Sequence, residues 1–324
     1  MVRAMSRVLV AGAGALGSVL GGLLAHAGAR VTLLGRAPHL AAIADHGLAI
    51  DGIWGTWRVR DLAVATDPAT LAGPFDAILL TVKSYDTEAM LAATSGLLAP
   101  DGCVLALQNG LGNVERVVAA VGAARALGGR VIFGTELSTP GRARVTVCAD
   151  PVAVGAAVPG SAVAETAARD WAERLAAAGV PAEYTADLAA HLWTKVFYNA
   201  ALNPLGALFG LAYGVLAADA DARALMDATI DEGFAVAARR GVVPLVPTPA
   251  AYRELFYGRL VPATADHRSS MLQDLERGRP TEIEAINGCV WRYGAEQGVP
   301  TPVNMTMTRL VRWRARLAGA ARGS

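Results

Sequence analysis

The chain opens on an apolar run, Ser6–Ala11 (SRVLVA), whose unbroken hydrophobicity predicts a strand buried on both faces. Ala15–Ala27, rich in Ala and Leu, predicts a helix, and Arg30–Leu34 (RVTLL) a second strand. Together they form a βαβ unit of about thirty residues. Residues 48–64 alternate Trp, Ile and Val with polar positions and predict short strands or a hairpin. Phe75–Val82, Gly102–Leu107 and Arg130–Phe133 predict further strands, with helices over Thr87–Leu98 and near Val114–Val121. Residues 135–155 predict short strands around the Pro140-Gly141 turn. Strands alternating with helices imply an α/β, Rossmann-type doubly wound parallel sheet. Helical periodicity then takes over, at 162–178, 187–203, 215–240, 248–258, 269–277, 281–297 and 302–317. An all-α C-terminal domain is expected, with the boundary giving domains 1–185 and 186–324. No repeat of solenoid period interrupts either part.

Composition narrows the class. The 324 residues are 53% hydrophobic and 18% charged, enough apolar material for two cores. Net charge is +1, from 29 basic and 28 acidic residues, which gives no basis for a nucleic-acid or anionic-membrane partner. Cys103, Cys148 and Cys289 are scattered and suit neither a disulfide framework nor a metal cluster, so a reducing cytoplasm is expected. Histidines 26, 39, 46, 191 and 267 lack the spacing of ligand pairs on one helix face, and no metal is expected. Gly12, Gly14 and Gly17 break the early apolar run, which is therefore read as neither a signal peptide nor a membrane helix.

Those glycines carry the first chemistry. Gly12-Ala13-Gly14-Ala15-Leu16-Gly17 is G-x-G-x-x-G, placed after a predicted strand and opening a predicted helix, the context a dinucleotide site requires. Gly12 permits the tight turn, Gly14 close approach of a pyrophosphate, and Gly17 helix–strand packing. The helix N-terminus offers free N–H donors to phosphate. A carboxylate at the end of the second strand would bind a ribose 2′-hydroxyl; the chain instead reads Leu33-Leu34-Gly35-Arg36. Arg36 can fork onto a 2′-phosphate, which favours NADPH/NADP, against the plainer alternative of a solvated arginine.

Further blocks carry a resemblance: TVKS at 81–84, QNGLG at 108–112, LWTKVFYNAALNP at 192–204 and SSMLQDLERGRPTEIEAING at 269–288. With GAGALG at 12–17, the chain resembles the 2-dehydropantoate 2-reductase (ketopantoate reductase) family over nearly its full length. That resemblance implies NADPH-dependent reduction of a branched 2-keto acid, 2-dehydropantoate to (R)-pantoate, in pantothenate biosynthesis. It makes Lys195 the general acid. Hydride arriving at a ketone carbon leaves negative charge on oxygen, which an ammonium stabilises and protonates. Walls of Trp193, Phe197 and Tyr198 would lower the lysine's pKa; an unplaced lysine would more simply be a solvated side chain. The resemblance makes Glu282 the active-site glutamate and puts Asn199, Asn203, Ser269 and Ser270 against substrate. It gives Asn109 to both cofactor and substrate, and Lys83 to the nucleotide, where exposure statistics alone suggest an ordinary surface lysine.

Several of these residues also have structural readings. Lys195, Asn199 and Asn203 project from one helix face, drifting about 40° per step. Asn203-Pro204 resembles an N-cap followed by proline at the first position of a new helix. Thr281 with Glu284 fits a capping box, leaving Glu282 at the first helical position, and Ser270 with Gln273 fits another. Two departures stand out: Tyr213 occupies a substrate-binding position where the family usually has asparagine, and Glu284 replaces an aspartate. Tyr213 keeps open a reductase of bulkier 2-oxo or imine substrates. A non-catalytic NADP(H) sensor is the alternative from another class, disfavoured by the presence of both Lys195 and Glu282. A homodimer through the helical domain is compatible with the sequence.

Overall fold

The computed structural model describes residues 6–320, with side chains to residue 318. Its contacts divide into two compact units. One comprises the described residues up to Gln108 together with Asn113–Leu188; the other comprises Asn109–Gly112 and the described residues from Ala189 onward.

In the first unit the order is β1 (Arg7–Ala11), α1 (Ala15–His26), β2 (Arg30–Leu34), α2 (Ala37–His46), β3 (Leu48–Gly52), β4 (Trp57–Val59), β5 (Ala63–Ala65), β6 (Phe75–Leu80), α3 (Thr87–Thr94) and β7 (Leu98–Ala106). Then follow α4 (Asn113–Val121), β8 (Ala126–Arg130), β9 (Phe133–Thr139), β10 (Arg142–Cys148), β11 (Val152–Ala156), α5 (Ala162–Ala177) and β12 (Ala182–Tyr184). Eight strands form one sheet in the order β12-β11-β8-β7-β6-β1-β2-β5, parallel except for the β8–β11 pair. Alternate residues of the central strands enter two cores: Val8, Val10, Leu79 and Leu105 on one face, Leu9, Ile78, Leu80 and Val104 on the other. Burial on both faces explains why these strands read as continuous apolar runs.

Three details depart from the sequence expectation. Helix α2 was not anticipated, because His39 and Pro38 obscure a short amphipathic stretch. A four-stranded sheet, β4-β3-β10-β9, gathers the segments expected only as scattered short strands. The strand expected at Arg130–Phe133 lies earlier, at Ala126–Arg130. Its two glycines argue against a strand by propensity. They are required by packing, since a Cβ at Gly128 or Gly129 would come within 2.5 Å of Val114 or Leu107.

The second unit contains α6 (Leu188–Phe209), α7 (Tyr213–Ala218), α8 (Ala220–Arg239), α9 (Pro249–Leu255), α10 (Ser270–Glu276), α11 (Asn287–Gln297) and α12 (Pro302–Ala320). Helix α6 runs unbroken through Pro204, so Asn203 is not an N-cap. Proline lacks the N–H that would bond the carbonyl four residues back. Here that carbonyl, of Ala200, accepts from Asn287 Nδ2 at 3.0 Å, and the helix continues. Nor is there a capping box at 281–284. Residues 282–286 form turns and α11 begins at Asn287. Glu284 instead accepts a forked pair of bonds from Arg312, at 2.5 and 2.6 Å.

Candidate active site

The nucleotide element is built by β1, α1 and β2. Gly12 has φ +120°, and a Cβ there would lie 2.4 Å from the Val82 nitrogen. A Cβ on Gly17 would lie 2.3 Å from the Gly12 oxygen, so helix and loop meet only through glycine. Thr81 Oγ1 fastens the loop by donating to Gly12 O at 2.9 Å. Gly14, by contrast, faces open space: a Cβ would meet nothing within 4 Å. It is the N-cap of α1 and carries no side-chain cap. The pattern of two closed glycines and one open one fits a dinucleotide phosphate approaching the loop at Gly14 and the N–H groups of Ala15, Leu16 and Gly17. Lys83 follows β6, one residue beyond the Val82 backbone against which Gly12 packs.

Arg36 is exposed at the end of β2, as the N-cap residue of α2. Helix α2 is tied down by His39, whose Nδ1 accepts from Gly141 N at 3.0 Å and whose Nε2 lies 2.8 Å from Ser18 Oγ. Acceptance at Nδ1 fixes the neutral tautomer with the proton on Nε2, donating to Ser18. Arg36 therefore stands at the start of a helix that His39 anchors to α1 and to Gly141. Arg36→Ala is expected to weaken NADPH roughly ten- to hundredfold while barely changing NADH, the loss of a charge-assisted hydrogen bond of about 1.5–3 kcal/mol. Equal losses in cofactor titrations with the two nucleotides would remove Arg36 from the 2′-phosphate.

Burial pushes the His39 pKa below its ordinary 6.5. The unfolded chain then binds the extra proton first as pH falls, so His39 costs no stability above its unfolded pKa and progressively more below it. Wild-type protein should lose more melting temperature than His39→Gln between about pH 7.5 and about pH 5.5. Parallel curves would show that His39 is not the titrating group.

The second cluster lies within the helical unit. Lys195, half-buried on α6, donates to Asn109 Oδ1 at 2.6 Å. Asn109 Nδ2 in turn donates to Glu282 Oε2 at 3.4 Å, and Glu282 is 6% exposed. Asn109 follows β7 by three residues and is held by its neighbours. Gly110, with φ +89°, packs so closely that a Cβ would lie 2.3 Å from Ala285 O, and Leu111 N donates to that same oxygen at 2.7 Å. The glycine loop is thereby seated on the 282–286 turn, which brings asparagine and glutamate together. One cation, one amide and one carboxylate in series are suited to hold a proton at Nζ and orient it.

The aromatic walls expected around Lys195 are elsewhere. Trp193 and Phe197 face an aromatic core with Phe234, Tyr252 and Tyr293, with Phe197 stacked 4.3 Å from Phe234. Positions two residues away lie about 200° around a helix, on the side opposite Lys195. Tyr198 pairs with Thr264, their hydroxyls 2.6 Å apart.

Asn199 is buried one turn along α6 from Lys195. A turn further, Asn203 lines a narrow crevice with Ser270, Met271, Asp274, Glu282 and Ile286. Ser269, not Ser270, caps α10: its Oγ accepts from Leu272 N at 3.0 Å and it is wholly buried. Ser270 is therefore released from capping, and its exposed hydroxyl lines the crevice. Tyr213 is 2% exposed and donates its hydroxyl to Asn203 Oδ1 at 2.6 Å. Asp274, Met271 and Ile286 were not singled out from sequence, since their types alone mark no chemistry. Asn287 stood inside a matched block but gave no sign that it repairs α6.

Fold and clusters together define an oxidoreductase of the nicotinamide-dependent, two-unit kind. The chain belongs to the ketopantoate reductase family: residues 8–158 match ketopantoate reductase PanE/ApbA, and residues 187–315 match its C-terminal part. It is 36% identical over 308 residues to a 2-dehydropantoate 2-reductase of Aquifex aeolicus, covering 94% of this chain and 96% of that one. A ketopantoate reductase structure from Ralstonia eutropha superposes with TM-score 0.85 at 32% identity, over 96% of this chain and 99% of that one. D-mandelate dehydrogenase with NADH and anilino(oxo)acetate superposes with TM-score 0.86 at 27% identity, over the same shares.

Proposed function

We propose that this chain catalyses NADPH-dependent reduction of a branched 2-keto acid, 2-dehydropantoate to (R)-pantoate, the step its family's name describes. The observation that carries this is the Lys195–Asn109–Glu282 series of hydrogen bonds. Bound NADPH would supply the hydride that converts the keto carbon to an alkoxide carbon. Lys195 holds the proton that the alkoxide oxygen takes, giving the 2-hydroxy acid; Lys195 regains a proton from solvent. Asn109 fixes the direction of Nζ, and Glu282 completes the relay as hydrogen-bond acceptor. Asn199, Asn203 and Ser270 contribute the polar contacts of the substrate crevice. Gly12–Gly17, Arg36, Lys83 and Asn109 hold the cofactor. The three cysteines are free thiols, consistent with the cytoplasmic setting that the activity would have. NADPH oxidation driven by 2-dehydropantoate tests the assignment; no oxidation with any 2-keto acid would overturn it.

A second substrate class has one observation behind it. Tyr213 stands where the family usually has asparagine, and a neighbour of similar fold is a D-mandelate dehydrogenase. Replacing an amide by a phenol changes the packing and hydrogen bonding behind the pocket. A higher kcat/KM for an aromatic 2-oxo acid than for 2-dehydropantoate would select this reading.

A further inference from the structure

Tyr213 begins α7 with its backbone doubly anchored. Its N–H donates to His267 O at 3.2 Å, and Gly214 N donates to Ala265 O at 2.8 Å. The ring packs edge-on to Tyr198, centroids 5.9 Å apart at 82°, and lies 5.2 Å from the His267 ring. So enclosed, the phenol presents no surface to a ligand, and burial pushes its pKa up. It stays protonated, with one hydrogen to place. Asn203 Oδ1, at 2.6 Å, takes it.

This fixes the orientation of the Asn203 carboxamide. Turning it over would set Nδ2 against the phenol and strand a buried O–H without an acceptor, the more costly of the two arrangements. Nδ2 is thus directed away from Tyr213. Asn203 is only 5% exposed, lines the crevice beside Ser270 and Glu282, and its Nδ2 meets no acceptor among the described residues. The crevice therefore contains a donor oriented by a neighbour that does not itself line it.

We propose that Tyr213 is a positioning residue for specificity. Its hydroxyl locks Asn203 as a hydrogen-bond donor, so that the crevice selects 2-keto acids presenting an acceptor oxygen to Nδ2. Resting on the reductase activity proposed above, this deepens it by assigning a role to the one substrate position where the chain departs from its family. The acceptor oxygen belongs either to the substrate's carboxylate or to a hydroxyl on its branch.

Steady-state kinetics separate these sources. Tyr213→Phe should raise KM for 2-dehydropantoate about three- to tenfold, with kcat within about twofold and KM for NADPH unchanged. A similar rise for 3-methyl-2-oxobutanoate, which lacks the hydroxyl, assigns the oxygen to the carboxylate; a rise confined to 2-dehydropantoate assigns it to the hydroxyl. Tyr213→Phe added to Asn203→Ala should cost nothing further, because Tyr213 acts only through Asn203. Wild-type KM values in Tyr213→Phe, a fall in kcat without a change in KM, or fully additive effects in the double variant would each overturn the lock while leaving the activity standing. Absence of wild-type turnover with every 2-keto acid would overturn both.

Discussion

Lys195→Ala is expected to lower kcat about 10²–10⁴-fold while NADPH binding stays close to wild type. In the proposed reaction the proton that completes the alcohol is held at Nζ, whose donation to Asn109 Oδ1 at 2.6 Å sets its direction. Losing the ammonium removes both the donor and the charge that stabilises the developing alkoxide, an effect present in the transition state more than in the ground state. KM should therefore move far less than kcat. The proposed nucleotide elements, at Gly12–Gly17 and Arg36, lie in the other unit, so the substitution should leave them as they are. Lys195→Arg makes the test sharper. Guanidinium keeps the positive charge but holds its proton too firmly to donate it, so it should recover little of the rate. Single-turnover hydride transfer measures the chemical step, and cofactor fluorescence titration measures binding. A Lys195→Ala enzyme within about twofold of wild-type kcat would end Lys195's role as proton donor.

Much of this site could be read from sequence because its signals are local. G-x-G-x-x-G between a strand and a helix states its own geometry, and the Cβ distances at Gly12 and Gly17 show the same constraint in space. Lys195, Asn199 and Asn203 share a face because helical period alone puts them there. What escaped was set by contacts between distant segments. The capping boxes at 270–273 and 281–284 satisfy the pattern, yet Ser269 is the cap, and Glu284 is taken by Arg312, 28 positions away in sequence. A pattern of types within four residues cannot weigh a competing partner from another helix. Trp193 and Phe197 flank Lys195 in sequence but turn away from it in space, since adjacency along a helix is not adjacency on its surface. Nothing local showed that the loop at 109–112 would be seated by the 285 carbonyl, or that Tyr213 would take up Asn203.

The same lesson, at Pro204, gives the largest expected effect on stability. Asn287 is wholly buried, and its single amide nitrogen donates to Ala200 O and to Asn304 Oδ1, each at 3.0 Å. Asn304 passes the network on, donating to Thr229 O at 3.2 Å and to Glu232 Oε2 at 2.8 Å. Asn287→Ala would leave two buried acceptors unsatisfied at about 1–3 kcal/mol each, together with a small void. The expected loss is about 3–5 kcal/mol, a large part of what typically holds a domain folded, and a fall of roughly 10 °C in melting temperature. Catalysis should suffer with it, because Lys195, Asn199 and Asn203 all lie on α6, on the N-terminal side of the proline. The Ala200 component can be isolated. Pro204→Ala restores the N–H that α6 lacks, so Ala200 O regains a partner from its own helix and no longer depends on Asn287. In that background Asn287→Ala should cost about 1–2 kcal/mol less than in the wild type, a coupling read by a double-mutant cycle in urea. Strict additivity would mean that Asn287 does not substitute for the missing N–H. The continuity of the helix bearing Lys195 would then need another cause.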